Sequence, residues 1–228
     1  MTERVVRDDP AAEAADRMAA AVHAGEHVAL SGGSTPRAAY DRLASFDLDW
    51  SGSTLWFGDE RCVPPDHELS NYAMVRAALL DRVAGPPPAV HRMRGELGHE
   101  EAADIYEREL RAELPQEMPQ LDFVLLGIGP DAHCASLFPN QPSLEERSRA
   151  VVGVEQAGFT PFVPRVTLTL PAINAAREVV FLVAGDDKAD AVARAFAGPD
   201  PRAPASLVAP TSGRLTWLLD PAAAAKLP

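Results

Sequence analysis

The chain has 228 residues, 46% of them hydrophobic and 24% charged, which excludes a disordered chain, a collagen-like repeat and a disulfide-stapled mini-protein. The formal charge of −12 argues against nucleic acid or an anionic membrane as a partner, because both need a basic surface, but a few converging cations can still bind a small anion. Two cysteines, Cys62 and Cys134, are too few for a secreted framework, so we expect one cytoplasmic domain over residues 1–228.

The first half of the chain alternates apolar runs with amphipathic segments. Asp8-Asp9-Pro10 is typical of a capped helix, which we expect to end at Gly25. The apolar run at 27–33 predicts a strand that breaks at two glycines, and Ser34 is then placed as the N-cap of a second helix through Leu43. Further predicted elements are a strand at 54–57 and helices at 71–83 and 100–114.

The second half begins with the strongest apolar run of the chain, LDFVLLGIG at 121–129, which is typical of a strand buried on both faces and leads into His133. Further predicted elements are strands at 165–170, 178–185 and 214–220, a short helix from Pro171 and a helix at 187–196, with loops at 140–150 and 155–164 around a short strand. This alternation predicts an α/β fold of three layers, Rossmann-like, with helices on both faces of a mostly parallel sheet.

Three predicted strands end in polar or glycine-rich sequence, at 32–36, 58–61 and 127–133. In parallel sheets covered by helices, ligands bind beyond the carboxyl ends of the strands. These three loops are therefore the expected place of a functional site.

The loop Gly32-Gly33-Ser34-Thr35 joins a predicted strand to a helix start. Glycines let the backbone approach a ligand closely, and the free N–H groups of a helix start attract anions. The two hydroxyls can add bonds to phosphate oxygens. An ordinary helix cap after a tight turn explains the same residues equally well, and the loop is neither a Walker loop nor a dinucleotide fingerprint.

Asp59-Glu60-Arg61 follows the strand at 54–57. Arginine at a strand end is suited to bind a carboxylate, a phosphate or a developing oxyanion. The alternative is a structural ion-pair network, which the two acids taken alone favour.

His133 lies just past the most apolar strand and close to Asp131, where an imidazole is suited to proton transfer. We interpret the other histidines, at 23, 27, 67, 91 and 99, as solvated. Asp131, His133 and Cys134 do not have a recognised zinc spacing. Because adjacent side chains diverge, Cys134 is interpreted as a small buried thiol rather than a nucleophile.

Only two of the 21 basic residues are lysines. Lys188 lies in the first turn of a predicted helix, where a cation opposes the helix dipole unless an anion docks there. An exposed lysine without a ligand is also common at such positions. Arg165, at the start of the strand at 165–170, is placed to join Lys188 in binding an anion.

The sequence resembles the 6-phosphogluconolactonase family, which shares a larger fold group with the glucosamine-6-phosphate deaminases. The resemblance runs through nearly the whole chain in order. It rests on ALSGGSTP at 29–36, WFGDERCVP at 56–64 followed by Ser70-Asn71-Tyr72, GIGPDAHCASLFP at 127–139, RVTLTLPAIN at 165–174, VAGDDKADAV at 183–192 and TWLLD at 216–220.

The resemblance implies hydrolysis of 6-phospho-D-glucono-1,5-lactone to 6-phosphogluconate, the second step of the oxidative pentose phosphate pathway. It implies that His133 handles the proton, that Arg61 lies in the site, and that Arg165 and Lys188 bind phosphate. It also implies that Gly32, Gly33, Ser34 and Thr35 form another wall of the pocket. Asp131 is expected to assist catalysis, and Asp59 and Glu60 to contact the substrate. Asp131 or Glu60 is also a candidate to orient His133 or Arg61.

One departure from the family concerns Ala132, where the family usually has glycine. If the backbone there has positive φ, alanine costs roughly 1 kcal/mol and can tilt His133. A deaminase is the close alternative, but its members typically have tyrosine where this chain has Arg61 and Ala-Phe-Asn-Glu-Pro where it has residues 135–139. A non-catalytic sugar-phosphate-binding module is the other alternative.

The expected partner is a phosphorylated sugar lactone, with neither nucleic acid nor membrane. No run approaches the ~20 apolar residues of a membrane span, and we expect no signal peptide or anchor. We expect no cofactor and no metal, because attack of water on an activated ester needs neither hydride nor electron chemistry. A monomer is favoured.

Overall fold

A seven-stranded parallel sheet forms the centre of the computed structural model, which describes residues 2–227. Its strands lie in the order β1-β10-β9-β6-β2-β3-β5. The strands, numbered along the chain, are β1 (Thr2–Val6), β2 (His27–Leu30), β3 (Thr54–Phe57), β4 (Asp59–Arg61), β5 (Ala89–Val90), β6 (Phe123–Leu126), β7 (Val151–Val154), β8 (Arg165–Leu168), β9 (Glu178–Val183) and β10 (Arg214–Leu219).

The remaining three strands form a second, antiparallel sheet in the order β4-β8-β7. The predicted strand that opens at Arg165 therefore belongs to this small sheet and not to the parallel one. β4 follows β3 after Gly58 alone, so the chain passes directly from one sheet to the other. In the antiparallel register, Arg61 lies opposite Arg165.

Helices cover both faces of the parallel sheet, which confirms the predicted three-layer α/β architecture. One face packs against residues of the first helices, such as Met18 and Tyr40, and the other against later helices, through residues such as Tyr106 and Val192, all fully buried. Burial of one such large side chain is worth about 1.5–3 kcal/mol. The helices are α1 (Pro10–His23), α2 (Ser34–Leu43), α3 (Asn71–Ala78), α4 (His99–Glu113), α5 (Leu170–Ala175) and α6 (Ala189–Phe196). None of the helices in residues 2–227 combines the length and apolar character of a membrane span.

The structure differs from the sequence-based prediction at several element ends. β1 pairs with β10 at the edge of the sheet and was not predicted, because TERVV is short, mostly exposed and carries two adjacent charges, Glu3 and Arg4. α2 begins at Ser34, and its N-cap is Gly33 rather than the predicted Ser34. The predicted strand at 121–129 is shortened to β6, and α3 ends at Ala78 before a short 3-10 turn.

Candidate active site

A cavity of about 290 Å³ lies beyond the carboxyl ends of the central strands. All three predicted loops, at 32–36, 58–61 and 127–133, contribute to its wall, together with the segment after β9. The predicted site residues that line it are Gly32, Gly33, Ser34, Thr35, Asp59, Arg61, His133, Arg165 and Lys188. Asp131 and Glu60 do not line it.

Asp131 nevertheless contacts His133 directly. Its Oδ1 lies 2.5 Å from His133 Nδ1 and accepts the backbone N–H of the same residue at 3.2 Å. Burial alone would raise the pKa of Asp131, but the hydrogen bond and the charge of His133 outweigh it and hold the pKa below its usual range. Since an ionised carboxylate only accepts, Nδ1 carries the hydrogen and Nε2 is left as the basic nitrogen.

The backbone of the loop leaves room for the imidazole ring. A Cβ added at Gly129 would lie 2.1 Å from His133 Cε1 and Nδ1, so only glycine allows the ring to occupy this position. The Gly129 N–H donates to the His133 carbonyl at 2.9 Å, and the Ala132 N–H donates to the Gly129 carbonyl at 2.9 Å. These two bonds close a tight turn that holds His133 at the cavity.

Ala132 has φ 67°, in the left-handed region, and its side chain is completely buried. This is the backbone geometry that the family glycine would satisfy without strain. The alanine adopts it with the His133–Asp131 contact intact, and its carbonyl accepts the Ala205 N–H at 3.0 Å.

Three cations face the cavity from different elements. Arg61 on β4 and Arg165 on β8 are neighbours across the small sheet, and Lys188 follows β9. Arg165 is only 3% exposed and donates to the carbonyls of Pro161 at 2.7 Å and Val163 at 3.2 Å. Burial lowers its pKa, the charge of Asp59 opposes this, and the charge of Arg61 adds to it. Like charges held this close favour the binding of an anion between them.

The N-terminus of α2 supplies neutral donors to the same wall. Gly33 is its N-cap with φ 109°, a conformation that requires glycine. Because glycine has no side chain, the first-turn N–H groups of α2 have no side-chain cap and remain suited to an anion. Ser34 and Thr35, the first two helical residues, line the cavity as well.

Lys188 is held at the end of a short 3-10 turn, Asp186–Lys188, that follows Gly185. Its Nζ lies 3.1 Å from Asp187 Oδ2, and its side chain is 24% exposed. The salt bridge to a more exposed carboxylate leaves the ammonium group able to bind a second anion in the cavity.

The two acids of the Asp-Glu-Arg segment differ in environment. Asp59 lines the cavity, and its Oδ2 accepts from the buried Ser136 hydroxyl at 2.7 Å. Glu60 is 3% exposed and is not placed for the predicted substrate contact. Its carboxylate accepts hydrogen bonds of 2.7–3.0 Å from the backbone N–H groups of Arg61, Asn71 and Tyr72 and from the Ser70 hydroxyl.

Burial raises the pKa of Glu60 above its usual value, although these four hydrogen bonds favour the charged form. The carboxylate joins β4 to the N-terminus of α3, where a negative charge is favourable. Glu60 therefore lies outside the cavity wall and is placed to hold Arg61 in position.

The remaining titratable side chains of residues 2–227 are not among those that line the cavity. Cys134 is buried, which raises the pKa of its thiol, as expected of a small core residue. His27 and His91 are not solvated as predicted, because both stack on Trp56, and His27 Nδ1 accepts the Trp56 indole N–H at 3.1 Å. Within residues 2–227, no three His, Cys, Asp or Glu side chains form a cluster suited to a metal ion.

The cavity also contains residues that the sequence did not single out. Phe138 and Phe159 flank His133, with ring centroids 4.8 Å and 5.7 Å from the imidazole. Asn71 donates to Asp59 Oδ1 at 3.2 Å. Ser31, the residue after β2, also lines the cavity. Asn71 and Phe138 lie in sequence blocks that resemble the family, which was the available signal, whereas Phe159 lies in a segment expected to be a loop.

The fold and the cavity define an α/β protein with a cationic site beyond the carboxyl ends of its parallel strands. Residues 2–217 match the family model described as glucosamine-6-phosphate isomerases/6-phosphogluconolactonase. A 6-phosphogluconolactonase from Nostoc sp. is 44% identical over 207 residues, which cover 88% of this chain and 84% of the relative. A human 6-phosphogluconolactonase is 43% identical over 173 residues, with 75% and 67% covered.

Solved structures are similar to this chain over nearly its whole length. A 6-phosphogluconolactonase from Trypanosoma brucei superposes with a TM-score of 0.88 at 28% identity and covers 100% of this chain and 99% of its own. A monomeric glucosamine-6-phosphate deaminase superposes with a TM-score of 0.81 at 21% identity over 99% of both chains, which shows the shared fold alone. The chain belongs to the glucosamine-6-phosphate isomerase/6-phosphogluconolactonase family.

Proposed function

We infer that this protein hydrolyses 6-phospho-D-glucono-1,5-lactone to 6-phospho-D-gluconate, an ester hydrolysis in the oxidative pentose phosphate pathway. The observation that carries this function is the His133–Asp131 pair at a cavity that three cations also line. Relatives of 43–44% identity bear the name 6-phosphogluconolactonase. The roles of individual residues below are our proposal.

The phosphate of the lactone binds Arg165, Lys188 and the N–H groups at the start of α2. Three kinds of donor, a guanidinium, an ammonium and backbone amides, match the oxygens of a phosphate dianion. Anchoring this remote group converts binding energy into orientation of the ring at His133. Asp59, which also lines the cavity, is placed to accept a hydrogen bond from a sugar hydroxyl.

His133 acts as the general base. Its Nε2 takes a proton from water as the water oxygen attacks the ring carbonyl carbon. Arg61 stabilises the oxyanion of the tetrahedral intermediate. When the bond between that carbon and the ring oxygen breaks, protonated His133 returns the proton to the ring oxygen. Asp131 stabilises the imidazolium and keeps Nδ1 protonated throughout.

The lactonase assignment is favoured over a deaminase by two sequence differences. Arg61 stands where deaminases typically have tyrosine, and residues 135–139 differ from their Ala-Phe-Asn-Glu-Pro segment. A non-catalytic binding module is disfavoured by the intact contact between Asp131 and His133, which Ala132 does not disturb.

A timed assay on lactone generated in situ, with spontaneous hydrolysis subtracted, tests the function. We expect hydrolysis by the wild-type protein and a loss of about 100-fold or more in kcat for His133→Ala, with substrate binding kept. Lys188→Ala should raise KM instead. Ammonia release from glucosamine 6-phosphate would assign the deaminase, and phosphate binding without turnover would assign the binding module.

We further propose a single cytoplasmic domain that is monomeric. Both cysteines are free thiols, which fits a reducing compartment. Within residues 2–227, the exposed large hydrophobic side chains are confined to Val6, Val90, Leu97, Phe159 and Phe162. Size-exclusion chromatography with light scattering tests the oligomeric state.

A further inference from the structure

Buried polar atoms without a partner are concentrated at the cavity. Three such side-chain atoms occur in residues 2–227: Ser31 Oγ, Arg61 Nε and Ser143 Oγ. Ser31 and Arg61 both line the candidate active site, whereas Ser143 does not. An unpaired buried polar group costs about 1–3 kcal/mol, so it needs a compensating role.

The backbone of Ser31 is held firmly by one buried side chain. Tyr40, which is fully buried, accepts the Ser31 N–H at 2.9 Å and donates its hydroxyl hydrogen to the Ser31 carbonyl at 2.8 Å. Ser31 itself is only 4% exposed. The hydroxyl is therefore the one polar group of Ser31 that the free protein leaves unsatisfied.

Arg61 has a similar arrangement. Its backbone N–H donates to Glu60 at 2.7 Å, and its Nη1 donates to the Leu69 carbonyl at 2.7 Å. The first bond holds the backbone of Arg61 and the second holds its guanidinium group, while Nε has no acceptor in the protein. Ser31 directly follows β2, and Arg61 is the last residue of β4, which the chain enters from β3 after Gly58. Because β2 and β3 are neighbours in the parallel sheet, the two residues reach the same cavity.

We propose that Ser31 is a substrate-binding residue whose Oγ hydrogen-bonds an oxygen of the bound sugar phosphate, and that the same ligand supplies an acceptor to Arg61 Nε. The proposal rests on the proposed function for the identity of the ligand. Rotation about the single side-chain torsion turns the Ser31 hydroxyl between staggered positions without moving the clamped backbone. A bound ligand would supply the hydrogen-bond partner that no protein atom gives the hydroxyl.

Ser31→Ala separates this role from a structural one. Because no protein atom bonds the hydroxyl, its removal should leave the melting temperature unchanged or higher. Loss of one neutral hydrogen bond to the ligand should weaken binding of 6-phosphogluconate about 3- to 10-fold by calorimetry and raise KM for the lactone by a similar factor.

Ser53→Ala is the matched control. Ser53 is also buried, but its Oγ donates to the Val22 carbonyl at 2.9 Å, and it lies outside the cavity. This variant should have a lower melting temperature and unchanged affinity for 6-phosphogluconate. Ser31→Ala is thus expected to change the affinity but not to lower the melting temperature, and Ser53→Ala to lower the melting temperature but not to change the affinity.

Comparing the affinity for inorganic phosphate with that for 6-phosphogluconate shows which part of the ligand Ser31 binds. If Ser31→Ala weakens phosphate and 6-phosphogluconate alike, the hydroxyl binds the phosphate group. If only 6-phosphogluconate binds more weakly, the hydroxyl binds the sugar portion. Either result supports the proposal.

Unchanged affinity and KM in Ser31→Ala would overturn the proposal, as would a fall in melting temperature equal to that of Ser53→Ala. A wild-type protein that binds 6-phosphogluconate but does not hydrolyse the lactone would overturn the proposed function alone. In that case, weaker binding by Ser31→Ala would still support Ser31 as a ligand-binding residue.

Discussion

Oδ1 of Asp131 contacts two nitrogens of His133, the ring Nδ1 at 2.5 Å and the backbone nitrogen at 3.2 Å. One carboxylate oxygen thus fixes both the orientation of the ring and the turn that carries it. Asp131→Asn should lower kcat for lactone hydrolysis by about 100-fold or more, with little change in KM, because the amide no longer imposes one tautomer or stabilises the imidazolium.

Steady-state kinetics of Asp131→Asn beside Asp200→Asn checks this prediction. Asp200 is a surface carboxylate paired with Arg202, so its variant controls for the loss of a charge elsewhere. A kcat within twofold of wild type for Asp131→Asn would show that His133 works without its carboxylate partner.

The stability of the protein should depend on pH through Asp131. Burial raises the pKa of this carboxyl, but His133 lowers it further, so the pKa in the folded state lies below the unfolded value of about 3.9. The ionised carboxylate therefore contributes stability above that value, and the contribution is lost as pH falls through the folded-state pKa. The difference in unfolding free energy between wild type and Asp131→Asn should narrow below about pH 4.

Urea denaturation of both proteins between about pH 3 and pH 7 measures this difference. A gap that stays constant over the whole range would show that the carboxylate has the same pKa in the folded and unfolded chain.

Gly129→Ala should displace the imidazole of His133. The added Cβ would lie 2.1 Å from the ring, closer than any tolerated contact. We expect kcat to fall by about 100-fold, as for loss of the base itself. Gly127→Ala is the comparison in the same loop, because its Cβ would meet no protein atom within 4 Å, and this variant should lower kcat much less than Gly129→Ala. Equal losses in both variants would indicate a general effect on the loop.

The five central strands of the parallel sheet and the three loops at its carboxyl edge were predictable from sequence, because buried parallel strands are continuous apolar runs that end at glycine or polar residues. The two edge strands, β1 and β5, were not predicted. β4 was not, since Asp59-Glu60-Arg61 has no apolar residue and becomes a strand only through its pairing with β8. The environment of Glu60 was not predictable either. The sequence shows a carboxylate at this position, but it does not show that four neighbouring groups already donate hydrogen bonds to it.

Neither cysteine should be needed for activity. Burial is the main cause that raises the pKa of Cys62 to about 11, and burial also raises the pKa of Cys134. Both thiols are therefore protonated near neutral pH and react slowly. Iodoacetamide should leave lactone hydrolysis unchanged in the folded protein, and Cys134→Ala should retain kcat. Labelling of both thiols in urea verifies the reagent, and rapid inactivation of the native protein would contradict the prediction.

The left-handed conformation of Ala132 predicts that replacement by glycine changes the unfolding free energy little and that replacement by valine lowers it strongly. Ala132→Gly stabilises the fold by about 1 kcal/mol because it relieves backbone strain. Two effects oppose this: a buried methyl group worth about 0.8 kcal/mol is lost, and the greater freedom of the unfolded chain destabilises the fold by about 0.4–1 kcal/mol. The unfolding free energy should change by less than about 1 kcal/mol, with kcat unchanged.

Ala132→Val adds bulk at a fully buried position with φ 67°, so it should destabilise by about 2 kcal/mol or more. Urea denaturation measures both variants. A large rise in kcat for Ala132→Gly would show that alanine holds His133 away from its working position.

The pairing of Arg61 with Arg165 limits how this family member can tolerate insertions and deletions. The separation of the two guanidinium groups is set by backbone hydrogen bonds between β4 and β8, so the intervening segments can change in length without moving them. One residue added inside β8 would instead turn Arg165 to the opposite face of its sheet. Libraries that seek new substrates should therefore vary the connecting segments and leave the six paired positions of β4 and β8 at fixed length.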